Sequence, residues 1–158
     1  MATTAAPSVD LVHCLNAERD VLRQCVDILG CEQQLLTGGE VDALADLCVK
    51  KNLLLESASR FSSLRERYLT DNGLPADRTG MNRLLHDNPS LQAIWGEALE
   101  WARQANILNS ANGAMINVRL SHNRQALSVM HQAVNSHTTY GQDGHLLHAA
   151  QGRAISVG

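Results

Sequence analysis

Apolar residues recur at intervals of three and four along most of the first 134 residues of the chain. This spacing places side chains on one face of an α-helix. Glycine, proline and asparagine-glycine pairs interrupt the spacing in two places. The sequence therefore predicts three long helices, at about 9–36, 40–70 and 90–134.

The first predicted helix carries a heptad-like apolar row with one charged member, Glu18. The row consists of Leu11, Leu15, Glu18, Leu22, Cys25, Leu29 and Leu36. Because a single charge is ordinary beside a helix seam, Glu18 is interpreted as an edge residue. Gly38 and Gly39 supply the left-handed backbone that ends a helix. So short a connection makes the second helix an antiparallel neighbour of the first.

The segment between the second and third helices loses the helical pattern. It contains Gly73, Pro75 and Gly80, and it is predicted to hold one short helical turn around Met81 to Leu85. Its expected role is to turn the chain round. The charged residues of the second helix are interpreted as its solvated surface, and they are Lys50, Lys51, Arg60, Arg65, Glu66 and Arg67.

The predicted fold is all-α: an elongated, antiparallel, coiled-coil-like three-helix bundle over residues 1–135, followed by a flexible C-terminal tail over 136–158. The third helix is predicted to be longer than its two partners, so its last turns lack an apolar cover from the same chain. The residues left bare are Leu120, Leu127, Met130 and Val134. Such a strip marks a site for a partner protein, or it is buried in a homodimer.

Composition argues against several classes of function. Aromatic residues make up 3% of the chain, fewer than a globular enzyme usually needs for its core. The formal net charge of -3 provides no basic stripe, so nucleic acid is not an expected partner. No apolar run is long enough for a transmembrane span and no signal peptide is recognisable, so we expect a cytoplasmic protein without direct membrane insertion.

Motifs of catalysis and metal binding are also missing from the sequence. It has no nucleotide-binding loop and no nucleophile or zinc-protease motif, so no enzymatic activity is expected. The irregular spacing of the cysteines favours small apolar residues kept reduced. These are Cys14, Cys25, Cys31 and Cys48. The pair His145 and His148 is interpreted as chance, and we expect no metal and no cofactor.

The third helix contains an unusual number of asparagines, although asparagine is a mediocre helix former. They are Asn109, Asn112, Asn117 and Asn123. One interpretation is that they face solvent or border a seam. The other is that some cross a helix-helix seam, where a polar residue fixes register and partner. Gly113, in mid-helix, would be tolerated where another helix approaches closely.

These residues resemble a known signature. The run N-S-A-N-G-A-M-I from Asn109 to Ile116, then Asn123 and Ala126-Leu127, and finally the turn T-Y-G-Q-D-G ending at Gly144, are similar to the FlgN family of flagellar export chaperones. In that family an N-x-x-N-G-x-L-I helix leads into a Y-G-x-D-G turn. Met115 stands where the family usually has leucine, which is a swap of similar volume.

The resemblance implies a function and a set of site residues. FlgN-family chaperones bind C-terminal helical segments of the hook-filament junction proteins FlgK and FlgL and deliver them to the flagellar type III export gate. The substrate-protein site implied here comprises Asn109, Asn112, Gly113, Ile116, Leu120, Asn123, Leu127, Met130 and Val134. The turn residues implied to dock on the gate protein FlhA are Tyr140, Gly141, Asp143 and Gly144. From the residues alone, Tyr140 either packs on the bundle or anchors a docking contact.

Two other hypotheses remain open at this stage. The chain is a monomer or weak homodimer if it is a chaperone, whereas a structural coiled-coil adaptor would form a stable homodimer through its third helix. An enzyme or metalloprotein using the histidines and cysteines would require a bound metal.

Overall fold

The computed structural model describes residues 9–138, and all of its regular structure within that range is helical. It contains α1 (Val9–Gly38), α2 (Leu44–Asp71), α3 (Arg78–Asp87) and α4 (Gln92–Thr138), with a single 3-10 turn at Pro89–Leu91 before α4. The all-α prediction is therefore confirmed. The predicted export-gate residues Tyr140, Gly141, Asp143 and Gly144 lie outside the described residues.

The count of three helices was incomplete, because the segment after α2 holds a helix of 10 residues instead of a single turn. Asp77 starts it as an N-cap: its Oδ1 accepts hydrogen bonds from the backbone N–H groups of Thr79 at 2.8 Å and Gly80 at 3.0 Å. Prolines on both sides and Gly80 within it hid the full extent of this helix, since 10 residues are too few to repeat a helical pattern.

The long helices differ from their predicted bounds mainly at α2 and at the end of α4. The backbone N–H of Leu44 donates to Val41 O at 3.1 Å, so the segment predicted to open α2 is a turn. At the other end α4 runs to Thr138 because no glycine or proline stands before Gly141. The first three residues of the predicted tail are thus helical.

Glycines in the left-handed conformation end α1 and α2. Gly39 has φ 80°, and the N–H of Glu40 donates to Leu35 O at 3.1 Å. Gly73 has φ 71°, and the N–H of Leu74 donates to Leu69 O at 2.8 Å. Both arrangements are Schellman motifs, in which only glycine takes the positive φ without steric strain.

Paired side chains define how the long helices run in the first part of the chain. Glu18 of α1 pairs with Arg65 of α2, and Glu32 of α1 pairs with Lys51 of α2. Glu32 lies fourteen residues after Glu18, whereas Lys51 lies fourteen residues before Arg65. The two helices are therefore antiparallel. On α4, Glu97 lies 3.5 Å from Arg19, and Asn112 bonds to Leu29 and Glu32. Residue numbers rise together on α1 and α4, so these two helices are parallel.

The main apolar cluster gathers where α1 begins, α2 ends and α3 lies. Its members are Leu11, Leu15, Leu69, Met81, Leu84, Leu85 and Leu91. Three of these seven residues come from α3. The segment predicted only to turn the chain is thus part of the core, since burying its leucines and methionine removes apolar surface from water.

Gly80 lets α3 approach the preceding loop. A Cβ atom at this position would overlap the carbonyl oxygen of Pro75, and that oxygen belongs to backbone that has no flexible side chain to move aside. Gly113 differs, because a Cβ added there meets nothing within 4 Å. No described part of the chain closely approaches Gly113, and the glycine that permits a close approach is Gly80, where α3 meets the preceding loop.

The chain divides into two compact units, Met1–Ile116 and Asn117–Gly158. The described part of the first contains α1, α2, α3 and the first half of α4. The described part of the second is the rest of α4, residues 117–138. No helix among residues 9–138 has both the length and the apolar content needed to cross a membrane.

The two glycines predict opposite effects on stability. Gly80→Ala should lower the free energy of unfolding by about 1–3 kcal/mol, because the loop at Pro75 must shift. Gly113→Ala should raise it by up to about 1 kcal/mol, since alanine is the better helix former. Urea unfolding followed by circular dichroism measures both. A destabilised Gly113→Ala would show that its Cβ position is packed after all.

Candidate protein-binding face

The second half of α4 presents an exposed row of side chains spaced by three and four residues. The row consists of Leu120, Asn123, Leu127, Met130 and Val134, and is called the distal face below. Its four apolar members are 47%, 56%, 63% and 61% exposed. Their spacing places them on one side of the helix, in the pattern of a coiled-coil seam. So regular an apolar row in water is the usual mark of a protein-binding surface.

Only one of the predicted asparagines lies in the interior. Asn112 is 1% exposed, whereas Asn109, Asn117 and Asn123 are exposed. Both interpretations of the asparagines thus hold, each for different residues. The assignment of Asn112 to a substrate-protein site is corrected, because its side chain is enclosed between α4 and α1 and cannot reach a partner.

Asn112 belongs to a buried polar network that joins three helices. Its Nδ2 donates to the backbone oxygen of Leu29 and to Oε2 of Glu32, both at 2.9 Å. The other oxygen of Glu32 accepts from Nζ of Lys51 at 2.6 Å. Glu32 is 1% exposed, so its charge is stable there only because both oxygens are bonded. Within the described residues, Oδ1 of Asn112 has no hydrogen-bond partner.

A second polar network lies nearer the start of α1. Arg65 donates from Nε to Oε2 of Glu18 at 3.0 Å and from Nη2 to Oε1 at 3.3 Å, a bidentate geometry. Its guanidinium also lies over the ring of Trp95, 4.6 Å from the centroid. The interpretation of Glu18 as an edge charge was wrong, since it is buried. Lys51 and Arg65 were likewise wrongly assigned to the solvated surface.

The remaining residues of the predicted substrate-protein site differ in their exposure to solvent. Ile116 is at the limit of exposure and Gly113 is half-buried, while Asn109 is exposed. The other five predicted residues are those of the distal face, and all five are exposed. Asn112 is buried within the first unit.

Sequence reasoning missed a second exposed apolar surface, between α1 and α2. It is an open groove of about 530 Å³ whose apolar lining comes from Ile28, Cys31, Leu47, Leu53 and Leu54. The signal was present, because Leu53, Leu54 and Leu55 are consecutive and cannot all face one side of a helix.

Two of the cysteines, Cys14 and Cys25, have thiols of raised pKa. Burial raises the pKa of the Cys14 thiol, and the carboxylate of Glu18 raises it further against the opposing effect of Arg65. Burial also raises the pKa of the Cys25 thiol. Both thiols are therefore poor nucleophiles, because the thiolate is the reactive form. Among residues 9–138 no three histidine, cysteine or carboxylate side chains are grouped so as to hold a metal ion.

These features define a class: an all-α protein whose long helices are joined by buried polar pairs and whose last helix carries an exposed apolar row. Residues 8–148 match the family described as FlgN protein. Because the match covers most of the chain, the protein belongs to the FlgN family, and the resemblance seen in the sequence is confirmed.

Individual relatives agree with this assignment. The chain is 26% identical over 137 residues to the flagella synthesis protein FlgN of Proteus mirabilis, which is 85% of this chain and 88% of the relative. It is 27% identical over 145 residues to the protein of the same name from Yersinia enterocolitica, which is 90% of this chain and 94% of the relative. No solved structure matches the chain.

The burial difference between two signature asparagines predicts a difference in stability. Asn112→Ala should lower the free energy of unfolding by about 1–3 kcal/mol, because Glu32 loses a donor in a buried site. Asn109→Ala, in the same motif but exposed, should change it by less than about 0.5 kcal/mol. Denaturant unfolding of the two variants checks this, and equal effects would contradict the assigned network.

Proposed function

We propose that this protein is a cytoplasmic export chaperone that binds the C-terminal helical segments of the hook-filament junction proteins FlgK and FlgL. The observation that carries the proposal is the exposed distal face in a chain of the FlgN family. A row of apolar residues at heptad spacing is suited to pairing with an amphipathic helix. Two relatives named flagella synthesis protein support the flagellar setting.

The proposed mechanism is masking. An amphipathic terminal segment tends to self-associate when it is left bare, and a complementary apolar row lowers the free concentration of that surface. Met130 suits such a site because its unbranched side chain adapts to different partners. Asn109 and Ile116, both exposed, are included in the proposed site. Binding must also be reversible, so we expect a dissociation constant near the micromolar range, or about 8 kcal/mol.

Calorimetric titration with the C-terminal segment of FlgK or FlgL from the same organism tests this function. Saturable one-to-one binding with a negative heat-capacity change is expected, because apolar surface becomes buried. Absence of binding to both segments by the folded chain would contradict the proposal. A stable homodimer that buries the distal face would then favour the coiled-coil adaptor, and the molar mass in solution measures this directly.

Leu127→Asp should weaken binding of the junction-protein segment at least about tenfold, because a charge enters the surface to be buried. Val129→Asp is the matched control. Val129 is 60% exposed, close to the 56% of Leu127, but lies two positions away and so faces the opposite side of α4. Helix content by circular dichroism should be unchanged in both variants. An equal loss of binding in both variants would contradict the assignment of substrate binding to the distal face.

The delivery step is assigned to the Y-G-x-D-G motif at residues 140–144 because of the family resemblance. Tyr140→Ala should leave substrate binding unchanged but impair flagellar export, since tyrosine supplies a large anchoring contact. Gln142→Ala, at the variable position of the same motif, is the control. Secretion of junction proteins and swimming motility are the measurements. Normal motility of the Tyr140→Ala strain would contradict docking through this residue.

A further inference from the structure

The distal face is bordered by positive charge and contains no acidic residue. Within residues 117–138 the charged or titratable side chains are Arg119, His122, Arg124, His131 and His137. Fifteen of the chain's 16 acidic residues precede Asn117, and the other is Asp143. The side chains of residues 121–136 are all exposed, so His122, Arg124 and His131 reach solvent beside the apolar row.

The basic residues occupy the positions that choose a partner in a helix pair. In a seam with the spacing of Leu120, Asn123 and Leu127, the flanking positions lie immediately before Leu120, Leu127 and Val134 and immediately after Asn123 and Met130. Arg124 and His131 stand there, together with Arg119 and the small residues Ala126 and Ala133. Flanking charges set pairing preference because they meet the flanking charges of the other helix.

This pattern disfavours a second copy as the occupant. If two distal faces paired, no carboxylate of the other copy would lie opposite Arg124, and in a parallel pair Arg124 would meet Arg119. Like charges at such positions are destabilising. An acidic helix would meet attraction at the same places.

Asn123 adds a second requirement on the occupant. It lies inside the apolar row, where pairing would bury its amide, and a buried amide needs a hydrogen-bond partner. The first half of α4 shows which group satisfies such an amide, because Asn112 Nδ2 donates to the carboxylate of Glu32 at 2.9 Å.

We infer that the distal face binds an acidic amphipathic helix, one with an apolar row flanked by carboxylates and with a polar acceptor opposite Asn123. The inference rests on the proposed use of this face and adds the chemistry of its occupant. The apolar row provides affinity, and a carboxylate opposite Arg124 provides the selection against other helices.

Two synthetic helical peptides test the inference on the full chain. Both carry the same leucine row, one with glutamate and the other with lysine at every flanking position. The glutamate peptide should bind more tightly, and the preference should shrink as salt is raised. Equal binding, no binding of either peptide, or a preference for lysine would each overturn the inference. So would equal binding of polyglutamate, which has the charge without the apolar row.

Charge reversal locates the effect. Arg124→Glu should weaken the glutamate peptide by roughly 2- to 10-fold and strengthen the lysine peptide, because one attraction becomes a repulsion. Arg83→Glu makes the same charge change on an exposed residue of α3 and should alter neither. An unchanged preference in Arg124→Glu, or an equal loss in Arg83→Glu, would overturn the assignment to this face.

The same variants separate this inference from the proposed function. If the peptides obey the charge rule but the junction-protein segments do not bind, the function fails and the surface chemistry stands. If those segments bind with no dependence on Arg124, the function stands and the charge rule fails.

Discussion

Two buried carboxylates on α1 hold the first unit together, and its register depends on them. Glu18 and Glu32 are two heptads apart on α1. Their partners on α2, Arg65 and Lys51, are the same number of residues apart in the reverse order. Breaking a buried pair by removing one partner leaves an uncompensated charge in the interior, typically a loss of about 3–5 kcal/mol. A slip of α2 by one helical turn would break both pairs together. Leucine rows alone tolerate such slips, because one leucine replaces another, so the polar pairs distinguish the native register from its neighbours.

The same pairs bring α4 into place. Asn112 bonds to Glu32 while Glu97 lies 3.5 Å from Arg19, and these two contacts together require α4 to run parallel to α1. The Trp95 ring lies over the guanidinium of Arg65. The signature asparagine is thus a structural residue whose partner, Glu32, lies 80 positions away in sequence. One amide oxygen remains without a donor among the described residues, which detracts from the stability of this contact.

The sequence predicted the helical class and the exposed part of α4 because both follow from local periodicity and helix length. It failed where the answer depended on distant residues. Glu18 looks like an edge charge until Arg65 is placed beside it, and Asn112 looks no different from Asn109 until α1 is packed against α4. Gly80 and Gly113 are likewise indistinguishable by type, and only the position of Pro75 tells them apart. Helix α3 escaped detection because ten residues are too few to repeat a helical pattern.

Along α4 the same polar residue is used in two different settings. In the first unit Asn112 is buried, and an acid from α1 accepts its hydrogen bond. In the second unit Asn123 occupies an equivalent place in an apolar row, but it is exposed and no acidic residue is present on residues 117–138. The apolar row of the second unit contains Asn123 and is flanked by Arg124. It has no carboxylate like that of Glu32, which accepts the hydrogen bond of Asn112 in the first unit. The missing groups are carboxylates, and burial of the apolar row becomes favourable when another helix provides them.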